Sequence, residues 1–205
     1  VATTATATSG TALADNAYLG VHGMWTDLDD LDFQVAPGRI DSTFDSGTGF
    51  GVTVGRSMGQ MRGEIEYTRR MNDIDSHSLN GGAALAGSAG EVTSDAFMLN
   101  GYYHFTPGGS FSPYVGAGIG FSKVSFDAFG VTAIPDVLDD SATEIAYQMM
   151  VGAEFVAAES WTLFAEYRYF STGDVDVTTS SATGSVDTSA SYSTNNVVVG
   201  ARIQF

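Results

Sequence analysis

Apolar and polar residues alternate with a period of two along the chain, the pattern of strands that turn one face toward a nonpolar medium. In the first stretch Leu19, Val21, Gly23 and Trp25 share one face, with Gly20, His22 and Met24 on the other. Phe50, Val52 and Val54 then oppose Gly49, Gly51, Thr53 and Gly55. After a tight turn at 58–61, Ile65 and Tyr67 oppose Glu64 and Glu66. Phe97, Leu99, Gly101, Tyr103 and Phe105 stand against Met98, Asn100, Tyr102 and His104. Past a turn at 107–112, Val115, Ala117, Ile119 and Phe121 stand against Tyr114, Gly116, Gly118, Gly120 and Ser122. A third hairpin sets Tyr147, Met149, Val151, Ala153 and Phe155 against Gln148, Met150, Gly152 and Glu154. It turns at 157–160 and returns with Trp161, Leu163, Ala165, Tyr167 and Tyr169 against Thr162, Phe164, Glu166 and Arg168. The last stretch sets Val197, Val199, Ala201, Ile203 and Phe205 against Asn196, Val198, Gly200, Arg202 and Gln204.

The composition of the second face decides the fold. A soluble sandwich puts its apolar face on a shared core and a charged face in water. Here the second face is rich in Gly with isolated Glu, Arg and Asn and almost no Lys, as a crowded lumen requires. The apolar face must then meet lipid, and Trp25, Tyr103, Phe105, Trp161, Tyr167, Tyr169 and Phe205 fall where aromatic girdles form. The fold class is therefore all-β: an eight-stranded antiparallel up-and-down transmembrane β-barrel. Its short turns at 58–61, 107–112 and 157–160 alternate with long segments at 27–46, 71–93, 127–142 and 172–193. That asymmetry predicts short periplasmic turns, four long outer loops and both termini in the periplasm of a bacterial outer membrane. The Gly/Ala/Ser/Thr stretches 81–90 and 178–194 are expected to be loop tips.

Composition excludes the main competitors. No stretch approaches the ~18 consecutive apolar residues of a membrane-spanning helix. The 25 glycines and 12% aromatics suit strands with Gly-rich turns. A net charge of -16 with 8 basic residues opposes nucleic-acid binding. The absence of cysteine removes disulfides and thiolate metal sites. Residues 1–16, rich in Ala and Thr, are expected to form a flexible N-terminal arm before a barrel domain over 17–205. The opening residues show no signal peptide, and Ala12-Leu13-Ala14 resembles a small-residue cleavage site.

Three segments carry a family likeness: Pro113-Tyr114-Val115-Gly116-Ala117-Gly118-Ile119-Gly120, Ala165-Glu166-Tyr167-Arg168-Tyr169 and Val199-Gly200-Ala201-Arg202-Ile203-Gln204-Phe205. In this order they resemble the eight-stranded outer-membrane barrels that include OmpA membrane domains, opacity proteins and alphaproteobacterial surface antigens. The resemblance implies insertion by the barrel-assembly machinery, with Phe205 as the insertion signal. It also implies a role in adhesion, surface contact or envelope structure. No peptidoglycan-binding segment follows Phe205, so a tether to the wall by that route is not expected.

Glu64, Glu66, Glu154, Glu166, Arg168 and Arg202 share the inward parity, with Arg62 near the short turns. Buried charges must pair, so these predict a lumen charge network; a small ion-conducting pore through the same charges is the alternative. His22, His77 and His104 are the only histidines, and none shares a strand face with a Ser or Asp near an open mouth, so no enzyme is expected. Asp27, Asp29, Asp30 and Asp32 cluster hard oxygen ligands that suit Ca²⁺, although their spacing is not that of an EF-hand. No other cofactor is expected. Phe33, Phe44, Phe126 and Phe129 lie in the outer segments as candidate contacts for a surface protein, an extracellular layer or a host partner. Membrane lipid and lipopolysaccharide are the remaining expected partners.

Overall fold

Strand formation follows the alternation read above, because β-branched and aromatic residues on one face and small or polar ones on the other suit a pleated ladder. A computed structural model describes the backbone of residues 17–28, 31–35, 38–44, 46–79, 89–131, 134–181 and 184–205, and the side chains of 17–27, 46–72, 91–125, 143–173 and 192–205. Its strands are β1 (Ala17–Leu28), β2 (Leu31–Val35), β3 (Gly38–Phe44), β4 (Gly47–Met58), β5 (Met61–Leu79), β6 (Ala89–His104), β7 (Phe111–Val131), β8 (Ile134–Ala158), β9 (Trp161–Ser181) and β10 (Gly184–Gln204). Every pairing is antiparallel between neighbours. The order β4-β1-β10-β9-β8-β7-β6 is closed by β4 and β6 each pairing with β5. The barrel therefore has eight strands, with the β2–β3 hairpin added to the upper end of β5.

Closure sets the first strand against the last, with Tyr18 opposite Gln204 and Leu28 opposite Thr194. At one end the connections are tight. Gly59 and Gly108 take positive φ of 67° and 76° in their turns, a conformation that a Cβ disfavours.

The other end differs from the sequence expectation of four long outer loops. β7 and β8 stay paired until Val131 meets Ile134, and β9 and β10 until Ser181 meets Gly184. The segment 27–46 holds the β2–β3 hairpin, and β5 continues to Leu79. The outer segments are thus largely continued ladders, and most of the 178–194 stretch is strand, not loop tip. The reason is physical: a ladder needs only paired backbone groups and tolerant side chains, whereas the apolar alternation is imposed by lipid and ceases where the lipid ends. Register shifts at Phe126/Phe129, Ala89/Glu91 and Ser191/Ser193 lie in these outer ladders, where bulges let paired strands bend away from the cylinder.

The faces are inverted relative to a water-soluble protein. Phe97, Leu99, Ile119, Phe121 and Met149 are about as exposed as in an open strand, while Glu66, Thr68, Arg168 and Asn196 are buried. Exposed apolar area this continuous marks a lipid surface. Tyr103, Phe105, Phe111, Phe155, Trp161 and Phe205 ring the short-turn end, and Trp25, Phe50, Phe97, Phe121, Tyr147 and Tyr167 ring the other side of the band. Phe97 on β6 and Phe105 just past its end put the two rings eight residues apart, roughly 20 Å along a barrel axis at ~3.3 Å per residue and ~40° tilt.

Candidate functional site

The lumen carries the chemistry, and the period of two puts it there. Glu64 and Glu66 on β5, Asn100 and Tyr102 on β6, Gln148 on β8, Glu166 and Arg168 on β9 and Arg202 on β10 all point inward and are buried. Nothing in the alternation states which of these meet, because cross-barrel contacts depend on how the sheet closes.

At mid-height Arg168 holds two carboxylates. Its Nη1 donates to Glu66 Oε1 at 2.6 Å, its Nε donates to Glu166 Oε1 at 2.9 Å, and its Nη2 lies 2.8 Å from the same Glu166 oxygen. Thr68 also donates to Glu66 Oε1 at 2.7 Å, Asn100 donates to Glu66 Oε2 at 3.3 Å, and Tyr114 donates to Glu166 Oε2 at 3.0 Å. All three charged side chains are essentially removed from solvent.

One layer nearer the short turns, Glu64 accepts from Arg62 Nη1, Tyr18 and Tyr102, each at 2.6 Å. The Arg62 guanidinium lies 3.6 Å from the centre of the Tyr102 ring, which stacks edge-on against Tyr114. Arg62 Nε also donates to His104 Nε2 at 3.2 Å. That bond makes Nε2 an acceptor and puts the imidazole proton on Nδ1, which faces Ser112 Oγ at 3.2 Å and Glu154 Oε1 at 3.3 Å. Arg202 Nη2 lies 3.0 Å from Glu154 Oε2, close enough for an ion pair but not aligned for a hydrogen bond, and Arg202 sits over the Phe164 ring at 4.7 Å.

The six residues singled out by inward parity thus fall into three places in space: Glu66, Glu166 and Arg168 in one, Glu154 and Arg202 in another, and Glu64 in a third. Glu64 joins Arg62. Sequence reasoning missed the phenols of Tyr18, Tyr102 and Tyr114 as carboxylate partners, and it missed Arg70. Arg70 was legible, since extending the β5 parity from Glu64 and Glu66 through Thr68 reaches it. Its side chain is wholly buried, with the guanidinium 3.8 Å above the Phe170 ring.

The histidines do not form a catalytic set among the described residues. His22 is buried against Phe164 with ring centres 6.3 Å apart, and His104 is engaged by Arg62 and Ser112. The side chain of His77 lies outside the described residues. Asp27 is exposed at the outer end of β1; Asp29 and Asp30 lie outside the described residues, as do the side chains of Asp32, Phe33, Phe44, Phe126 and Phe129. Phe205 is exposed at the short-turn end, its N–H donating to Ala17 O at 3.1 Å.

A closed ladder with a lipid-facing exterior and a charge-paired interior defines an integral barrel of the outer-membrane type. The chain belongs to the outer membrane protein beta-barrel domain family, which matches residues 1–205. It is 28% identical over 93 residues to outer membrane protein PagN of Salmonella typhimurium, a match covering 42% of this chain and only 38% of PagN. Among solved structures it resembles Neisserial surface protein A, with a TM-score of 0.61 at 17% identity, covering 92% of this chain and 97% of that one. It also resembles the attachment invasion locus protein of Yersinia pestis, determined in complex with the heparin analogue sucrose octasulfate. That TM-score is 0.50 at 10% identity, over 94% of this chain and 100% of the other. Both likenesses are of fold.

Proposed function

We propose that this protein is a non-enzymatic surface-contact barrel, anchored by its lipid-facing body and engaging an extracellular partner through its outer ladders. The observation that carries this reading is strand length. A transmembrane strand needs about 10 residues, whereas β7, β9 and β10 have 21 each and β8 has 25. Roughly half of each therefore projects past the lipid as paired sheet, which offers a partner a preformed surface at low entropic cost. Sixteen of the 24 acidic residues lie in the segments 27–46, 71–93, 127–142 and 172–193, and the lumen carboxylates Glu64, Glu66, Glu154 and Glu166 each lie against an arginine. Two structural neighbours, a surface protein and an attachment invasion locus protein, agree with a contact role. The lumen reads as a stopper, since its charges bind one another across the interior of an eight-stranded barrel.

Two measurements test the proposal. An epitope inserted at 132–133 is expected to be antibody-accessible on intact cells, and one following Phe205 only after the outer membrane is permeabilised; the reverse would overturn the orientation. Replacing 126–142 and 176–189 by tight turns is expected to abolish binding of the purified barrel to host cells or matrix while it still inserts. Undiminished binding by the shortened barrel would refute the contact role.

A further inference from the structure

Among the described residues four arginines lie buried in the lumen, and three have a carboxylate within 3.0 Å: Arg62, Arg168 and Arg202. Arg70 is different. It is wholly buried, and its Nε, Nη1 and Nη2 make no hydrogen bond. The face of the guanidinium is stacked on Phe170, and its N–H edge is buried without an acceptor. An isolated charge in a low-dielectric interior is strongly unfavourable unless it is compensated.

The surroundings of Arg70 identify what could compensate it. Its strand neighbours at the same height are Gly49 and Ser94. Ser94 Oγ lies 2.9 Å from Ser122 Oγ, and Tyr192 packs edge-on against Phe170, ring centres 6.2 Å apart, with a buried hydroxyl that has no partner among the described residues. Asn72, the next inward residue on β5, is buried and its Nδ2 donates to Thr26 O at 3.4 Å, while the Thr26 hydroxyl is buried without a partner. Hydroxyls can donate to an acceptor, whereas among the described residues no carboxylate binds Arg70. Glu66 is two inward positions away and directs its oxygens at Arg168, Thr68 and Asn100. Glu144, the inward carboxylate of β8 opposite Ser122, makes no ion pair with Arg70. One cation ringed by neutral donors is a seat for an anion, since a metal cation would meet a like charge.

We propose that Arg70, with Ser94, Ser122 and Tyr192, binds a small oxyanion of the phosphate or sulfate class at the outer side of the lumen. The group comes either from a free inorganic ion or from the terminal phosphate or sulfate of a larger molecule entering the outer mouth. The site does not depend on what the outer ladders contact.

The test uses the full chain refolded in detergent micelles. Sodium phosphate and sodium sulfate are titrated at constant ionic strength, with the urea midpoint and the ¹⁵N-labelled arginine Nε resonances as readouts. A saturable rise in midpoint and a saturable shift of one arginine resonance are expected. Arg70→Met is expected to remove that resonance and lower oxyanion affinity at least about tenfold, the loss of a charge-assisted contact. Ser94→Ala, which keeps the charge, is expected to weaken affinity by a smaller factor, and Arg202→Met to leave it unchanged. If Arg70→Met does not fold, the wild-type resonance shift and the Ser94→Ala titration carry the test. Competition by glucose 6-phosphate would assign the group to a larger molecule, and its failure to compete to the free ion. A non-saturable response in the wild type, or full affinity in Arg70→Met, overturns the proposal.

Discussion

Replacing Arg168 by Met keeps the length of the side chain and removes the charge that holds Glu66 and Glu166. In the native lumen the guanidinium makes contacts of 2.6, 2.8 and 2.9 Å to two carboxylates that have almost no exposure to water. Their other partners, Thr68, Asn100 and Tyr114, are neutral donors and do not offset two negative charges. Breaking a buried pair by removing one partner costs about 3–5 kcal/mol; with two dependent carboxylates we take the middle to upper part of that range, roughly 4 kcal/mol. For a urea dependence of about 2 kcal/mol/M, this lowers the unfolding midpoint by about 2 M. The assay is urea unfolding of the barrel in lipid vesicles, followed by tryptophan fluorescence and by the shift of the folded band on unheated gels. Arg202→Met is the control, because its partner Glu154 is partly solvated and the pair is not aligned as a hydrogen bond. There we expect about 1 kcal/mol. A double-mutant cycle with Glu66→Gln should return a coupling of about 2 kcal/mol for the Arg168–Glu66 contact. A midpoint for Arg168→Met within about 0.5 M of wild type, or no larger a loss than in Arg202→Met, would refute the claim that this cluster organises the lumen.

Other outcomes follow from the same geometry. A Cβ at Gly118 would run into the Asn100 amide and come within 3.1 Å of Gln148 Cγ, so Gly118→Val should break the 2.7 Å Gln148–Asn100 hydrogen bond. We expect a loss of about 1–3 kcal/mol in the same unfolding assay. Gly101→Val, whose Cβ meets no atom within 4 Å, should be close to neutral. If the chain terminus is the insertion signal, Phe205→Ala should reduce the amount of folded barrel recovered from outer membranes several-fold while leaving refolding of purified chain into detergent unchanged, as measured by band shift. Equal recovery would argue against that role.

The barrel itself was legible because lipid imposes the alternation. Each of the eight strands was found where Val, Leu, Ile or aromatic residues recur every second position. The strand ends were not, because Thr178, Ser185 and Ser189 read as loop composition while their backbones stay paired above the membrane. Tyr192 was missed for that reason, though it is buried beside Phe170. Inward parity found Glu66, Glu166 and Arg168, but their meeting across 102 residues of sequence is set by closure and strand tilt, which no local pattern encodes. The same holds for Tyr18, which lies on the first strand and donates to Glu64 on β5.

Pairing of β1 with β10 also has a consequence in time. Tyr18 has no ladder partner on that side until Gln204 exists, and until then the growing sheet presents an open edge at both flanks. The cylinder therefore cannot be completed progressively as the chain emerges; its last hydrogen bonds join the earliest and latest parts of the sequence in one event. Contacts of such long sequence separation form slowly. During that interval the exposed edges and apolar face need shelter, so the protein's survival on its way to the membrane is governed by escort and delay as much as by the stability of the finished barrel.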